Sequence, residues 1–105
     1  MSILYIEPVQ EARETLFLIQ SAIESEIAKL QLALQAAQKR LEPFERRYGV
    51  TSDYFNANMA AEDLEGGDEE YVHWAGEYKL MQSLQQRLQQ LREIEYSDSK
   101  LFRAD

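Results

Sequence analysis

From Pro8 onward the apolar positions advance in alternating steps of three and four. Val9, Leu16, Ile23, Ile27, Leu30, Leu34, Ala37, Leu41, Phe44 and Tyr48 keep this rhythm, with Arg13 and Gln20 in the two intervening places. The pattern predicts one helix over about residues 8–48 with a heptad stripe along one side. Pro8 suits its first turn, where the missing N–H would have no partner in any case. A rod of this length, roughly 60 Å at 1.5 Å per residue, cannot bury its stripe against itself and requires an equally long neighbour. That neighbour is predicted over about residues 68–96, where Trp74, Tyr78, Met81, Leu84, Leu88, Leu91 and Ile94 recur at threes and fours. Q-S-L-Q-Q-R-L-Q-Q-L-R-E supplies strong helix formers on the other face.

The punctuation between the two rods predicts a corner. Gly49 follows Arg46, Arg47 and Tyr48; a glycine after a basic last turn ends a helix by accepting the left-handed conformation. Thr51 or Ser52 can then cap a short connecting helix, about 52–63, that carries Asp53, Tyr54, Phe55 and Met59 and frays near Leu64 before Gly66 and Gly67. Asp68 is the expected N-cap of the second rod, with Glu69 and Glu70 favouring its positive end. The tail S-D-S-K-L-F-R-A-D has no clear period and is expected to be irregular. Pro43 is the one fault in the first rod. A proline inside a straight helix costs about 3 kcal/mol, yet the rhythm crosses it unbroken, which predicts a kink, with a full stop as the alternative.

Phe17, Leu18 and Ile19 point around the first rod away from its stripe, and Leu32 lies on the same outward face as Leu18, two heptads later. A helix that is apolar all round is covered on more than one side. A second copy of the hairpin would cover it, and so would the I-L-Y-I segment at residues 3–6. The expected architecture is therefore all-α and a single domain over residues 1–105. It is an antiparallel hairpin of two long helices with a short connecting helix, pairing into a homodimeric helical bundle.

Composition narrows the functions. The 105 residues are 45% hydrophobic and 29% charged, with a formal net charge of -8. A core is affordable, but an acidic surface repels nucleic acid and anionic membranes and favours a basic protein partner. The absence of cysteine removes disulfides, thiolate nucleophiles and the common structural zinc sites. The start M-S-I-L-Y-I-E-P lacks the features of a signal peptide, and no apolar run approaches the ~20 residues that span a bilayer. A cytoplasmic location is expected.

Candidate chemistry is sparse. Glu70 and His73 form an E-x-x-H pair, the spacing that places a carboxylate and an imidazole on one helix face in di-iron carboxylate bundles, and a homodimer would double it. A metal-carboxylate bundle is accordingly the alternative function, set against the plainer reading of His73 as a solvated residue in a first helical turn. No serine or threonine has a base and an orienting group at hand, and G-G-D-E-E surrounds its glycines with acids that repel phosphate. The expectation is a protein that is not an enzyme and binds no cofactor. The acids Glu62, Asp63, Glu65, Asp68, Glu69 and Glu70 form either a solvated loop with favourable first-turn charges or a docking surface for a basic protein. Tyr54 and Phe55 are expected to turn inward and cap the bundle beside Trp74, the alternative being an outward position facing a partner.

The corner F-E-R-R-Y-G-V-T-S-D-Y-F, followed by W-A-G-E-Y, resembles a pattern in small helical proteins of cyanobacteria and archaea, F-E-x-K-Y-G-M-S-S-x-x-F and then W-x-x-x-Y. Phe44, Glu45, Tyr48, Gly49, Ser52, Phe55, Trp74 and Tyr78 match it, Arg47 stands for the lysine and Val50 for the methionine. The resemblance covers residues 41–92. It implies a helical hairpin with a short crossing helix and no known catalytic residues. Some of these proteins are antitoxin-like, so it also implies a protein-binding role, with a basic toxin as the kind of partner.

Overall fold

A computed structural model describes residues 8–102, with side chains over 10–97. Helix α1 runs from Pro8 to Tyr48, helix α2 from Ser52 to Asn58, and helix α3 from Gly67 to Phe102. A 3-10 turn, Ala61–Asp63, lies between α2 and α3. Among the described residues there is no strand. α1 and α3 pack antiparallel along their length, giving a body of 69 × 28 × 18 Å with α2 and the turn across one end. The fold is the predicted helical hairpin.

The heptad stripe is the packing surface. From Leu16 to Tyr48 every predicted stripe position of α1 is buried or half-buried, Gln20 included, while Arg13 is exposed. Two groups of residues make the core. In the shaft, Leu30 and Ala37 of α1 meet Leu84 and Leu88 of α3, with Ile27, Leu34, Met81 and Leu91 around them. At the corner, Leu41, Phe55, Leu64, Trp74 and Tyr78 pack together, flanked by Phe44, Tyr48, Val50 and Met59. Ile94 departs from the predicted stripe: it is 48% exposed, and Glu95 takes a half-buried place beside it. The register is pinned across the helices by Arg40, whose Nε donates to Glu77 Oε1 at 2.8 Å.

Pro43 sits inside the continuous α1. The helix accepts the lost hydrogen bond there because Leu41 on one side and Phe44 on the other are held in the corner core, so packing outweighs the local defect. At Gly49 the chain takes φ +66° and its N–H still donates to Glu45 O at 2.8 Å. Thr51 is the cap of α2, its Oγ1 accepting from Tyr54 N at 3.1 Å.

Three boundaries differ from the expectation. The connecting helix does not reach residue 63. Met59 and Ala60 are extended, because Met59 is drawn into the corner core and the Asp63 carboxylate accepts the Ala60 N–H at 2.8 Å, bending the chain into the 3-10 turn. The second rod starts at Gly67, so Asp68 belongs to its first turn and is not the N-cap. It also continues to Phe102, correcting the irregular tail predicted after Tyr96. Ser97, Asp98 and Ser99 are mediocre helix formers, but each costs only a few tenths of a kcal/mol, and neither glycine nor proline follows to break the helix. The I-L-Y-I segment at residues 3–6 lies outside the described residues.

Candidate functional site

The corner is built around Trp74, which is fully buried. The Phe55 ring stacks on it at 3.9 Å between centroids and 4° between planes. Phe44 stacks at 5.3 Å and Tyr48 at 5.7 Å, each nearly parallel to the indole. Offset stacks of this kind add to the area term of burial. The indole Nε1 donates to Ser52 Oγ at 2.9 Å, and Ser52 Oγ in turn donates to Glu45 Oε2 at 2.7 Å. The same carboxylate oxygen accepts the Ser52 N–H at 2.9 Å. One carboxylate on α1 thus fixes the start of α2, and through its serine the tryptophan of α3. Ser52, 3% exposed, is the buried polar hub of the corner.

A second network closes the other side. The Tyr48 hydroxyl donates to Glu70 and accepts the Glu65 N–H at 2.9 Å. Glu70 Oε1 also accepts the Gly66 N–H at 2.9 Å, and Arg47 donates to Glu70 Oε2 at 2.8 Å and to Glu65 Oε1 at 2.7 Å. Tyr78 donates its hydroxyl to Asp53 Oδ1. Among the described residues no buried side-chain nitrogen or oxygen lacks a partner.

The predicted site residues fall into three places. Glu70 and His73 do line one shallow depression, of about 370 Å³, with Phe44, Arg47, Gly66 and Glu69. Both oxygens of Glu70 are engaged by donors. His73 lies edge-on to Phe44 at 5.0 Å, with Nε2 at 3.9 Å from Glu77 Oε2. Among the described residues no group of three or more histidines, cysteines and acids could hold a metal ion. Phe55 is inside, 0% exposed, as the inward reading required, but Tyr54 is not: it is 51% exposed, correcting the expectation that both cap the core. Phe55 is accordingly unavailable as a contact residue. Phe17, Leu18 and Leu32 are 65–67% exposed and Ile19 43%, so no described residue covers the outward face of α1.

The acidic stretch divides by role. Glu65 and Glu70 hold Arg47 and Asp63 caps the 3-10 turn, whereas Glu62, Asp68 and Glu69 are exposed. Arg46 lies 3.6 Å from Glu42 on its own helix. Arg47 therefore serves the corner, Arg46 pairs along α1, and the two arginines lie among acids that offset them. Set against protein-family profiles, curated proteins and solved structures, the chain matches none. What it can do has to be argued from its surfaces.

Sequence reasoning missed the Glu45–Ser52–Trp74 chain and the burial of Leu64, 6% exposed. A serine at a helix start reads as a cap, and only the spatial approach of Trp74 shows otherwise.

The tyrosine–carboxylate pairs make the corner sensitive to pH. Glu70 is held below the ordinary carboxylate range, first by the Tyr48 hydroxyl and then by the Gly66 N–H and Arg47, with burial working the other way. A depressed folded pKa gives stability that is present above the unfolded value and lost as pH falls through the folded one. Tyr48 is raised, first by burial and then by its bond to Glu70; Tyr78 is raised, first by its bond to Asp53 and then by burial. Raised phenols give stability that is present below the unfolded value of about 10 and lost as pH rises through the folded one. The melting temperature is expected to be flat from about pH 5 to about pH 10 and to fall on both sides. Tyr48→Phe should shrink both limbs and Tyr78→Phe the alkaline one. An acid limb unchanged in Tyr48→Phe would remove Glu70 as its source.

Proposed function

We propose that this chain is a non-catalytic protein–protein interaction module that acts as a homodimer and presents its acidic exterior to a basic partner protein. The observation that carries the reading is the outward face of α1. Phe17, Leu18 and Leu32 each leave about two thirds of their surface in solvent, and Ile19 nearly half. Single exposed apolar residues need no explanation, but large ones grouped on a helix that already buries its other side mark an association surface. The non-catalytic half of the reading is supported by the corner's hydrogen bonds, which run from helix to helix and so serve packing.

The net charge of -8 and the exposed acids Glu62, Asp68 and Glu69 beside Glu65 favour a basic partner by long-range attraction. The resemblance of the corner to antitoxin-like helical proteins supports a toxin as that partner. Among the described residues no helix is long and apolar enough to cross a membrane.

Light scattering through a dilution series tests the homodimer, and a monomer at every concentration overturns it. Recovery of a basic protein by the tagged chain from its native host, with capture weakening steeply as salt rises, tests the partner. Salt-independent capture, or the capture of acidic proteins, overturns the charge argument. The reading frame adjacent to this one is the first place to look for the toxin.

A further inference from the structure

The outward face of α1 carries a second heptad stripe. Leu18, Ala22, Ser25, Lys29, Leu32, Ala36 and Lys39 advance in steps of four and three, and all seven are exposed. At 3.6 residues per turn this stripe lies nearly opposite the one that packs on α3. Its composition is particular. It contains no acid in a chain of net charge -8, and its small residues, Ala22, Ser25 and Ala36, are interspersed among its large ones, Leu18, Lys29, Leu32 and Lys39. Its two ends differ in charge. Glu11 and Glu14, both exposed, precede it, and Lys29 and Lys39 occupy its later half.

Resting on the homodimer reading, we propose that two copies of this chain pair through this stripe, α1 against α1, antiparallel across a two-fold axis near Ile27. In that register Leu18 of each copy is level with Ala36 of the other, and Ala22 with Leu32, so every large residue meets a small one and the helices approach closely. Lys29 is level with Ser25 and within reach of Glu26 of the other copy. Lys39 comes beside Thr15, within reach of Glu11 and Glu14. The charge asymmetry of the stripe is thus self-complementary only when the helices run in opposite directions. A parallel pair would set Lys29 against Lys29 and Lys39 against Lys39, and would place Ala22 opposite Ala22 with an unfilled gap. The result is a layer of four helices, with the two α1 helices at the centre and an α3 on either side.

The span from Glu11 to Lys39 is about 42 Å at 1.5 Å per residue, and a helix about 12 Å wide offers on the order of 500 Å² per copy. A total of about 1,000 Å² is at the lower end for specific association, which fits a reversible dimer better than an obligate one. Phe17 and Ile19 border the stripe, and their contacts form its rim.

The chain has no cysteine, so crosslinking is free of background. Mixing Leu18→Cys with Ala36→Cys under mild oxidation is expected to give mainly the 18–36 disulfide. The double variant Leu18→Glu, Leu32→Glu is expected to raise the dimer Kd by about 100-fold or more, while its melting temperature at concentrations where the parent chain is monomeric stays unchanged, since both residues are exposed in the hairpin. Predominant 18–18 and 36–36 disulfides, or a dimer that persists in the double variant, would overturn this face or this direction while leaving the homodimer standing. A wild-type chain that is monomeric at every concentration would instead take away the homodimer reading itself. Should the double variant fold poorly, the disulfide pattern in the single-cysteine chains still decides.

Discussion

Trp74→Ala is expected to destabilise the hairpin by about 3 to 5 kcal/mol, the range for removing a large aromatic from a packed core. A domain of this size holds a total of only about 5 to 15 kcal/mol, so the variant should be partly unfolded at physiological temperature. Three rings lose their stacking partner together: Phe55 at 3.9 Å, Phe44 at 5.3 Å and Tyr48 at 5.7 Å. Ser52 Oγ also loses the indole donor, which adds the cost of a polar group left in a dry place. Trp74→Phe keeps an aromatic in the gap and should lose much less. Thermal melting followed by circular dichroism measures both, at about 4 to 8 °C per kcal/mol for a chain of this length. Equal melting of Trp74→Ala and the parent chain would mean that the shaft alone, Leu30, Ala37, Leu84 and Leu88, holds the fold.

The prominence of the corner follows from the shape of the molecule. A two-helix shaft has one packed seam and two open flanks, so residues such as Leu34 and Leu91 remain half-buried. In the shaft only the small Ala37 is wholly enclosed among the described residues, whereas α2 and the 3-10 turn, crossing the end of the hairpin, let the chain surround large side chains on all sides. Phe55 and Trp74 are accordingly its largest fully buried side chains. The same geometry explains the apolar outward face. A hairpin of this length has two layers at most, so among the described residues none is left to cover the outward side of α1.

How much of this was legible in the sequence varies with the range of the interaction responsible. The α1 stripe was legible position by position from Leu16 onward, even to the half-buried Gln20, because a heptad over several turns repeats its message at every step. Gly49 was legible, and the cap of α2 to within one residue, Thr51 or Ser52, for a local reason: a positive φ and a cap are properties of a few adjacent residues. The break at Met59 and Ala60 was not, since nothing in N-A-N-M-A-A opposes a helix. It arises from the attraction of Met59 to a core that lies far along the chain. The Glu45–Ser52–Trp74 chain was hidden for the same reason, its members coming from three helices. The E-x-x-H pair shows the converse hazard. Its spacing is genuine, but Tyr48, Arg47 and Gly66 occupy Glu70, and no sequence period reports on those.

Tyr54 and Phe55 give the sharpest contrast between neighbours. Successive residues on a helix point about 100° apart, so one of the pair faces the core and the other faces water. Phe55 is 0% exposed and Tyr54 51%. Phe55→Ala is expected to cost about 3 to 5 kcal/mol by opening a cavity between Trp74 and Tyr71, both of which it contacts face to face or tilted. Tyr54→Ala should change stability by less than about 0.5 kcal/mol, because its ring has no stacking partner to lose and its N–H bond to Thr51 belongs to the backbone. Its effect, if it has one, belongs to binding. An exposed tyrosine is the kind of residue that anchors a protein partner. Melting of the two variants checks the first half of the contrast, and capture of the partner by Tyr54→Ala checks the second. A large stability loss in Tyr54→Ala would place that ring inside after all and withdraw Tyr54 from the proposed partner surface.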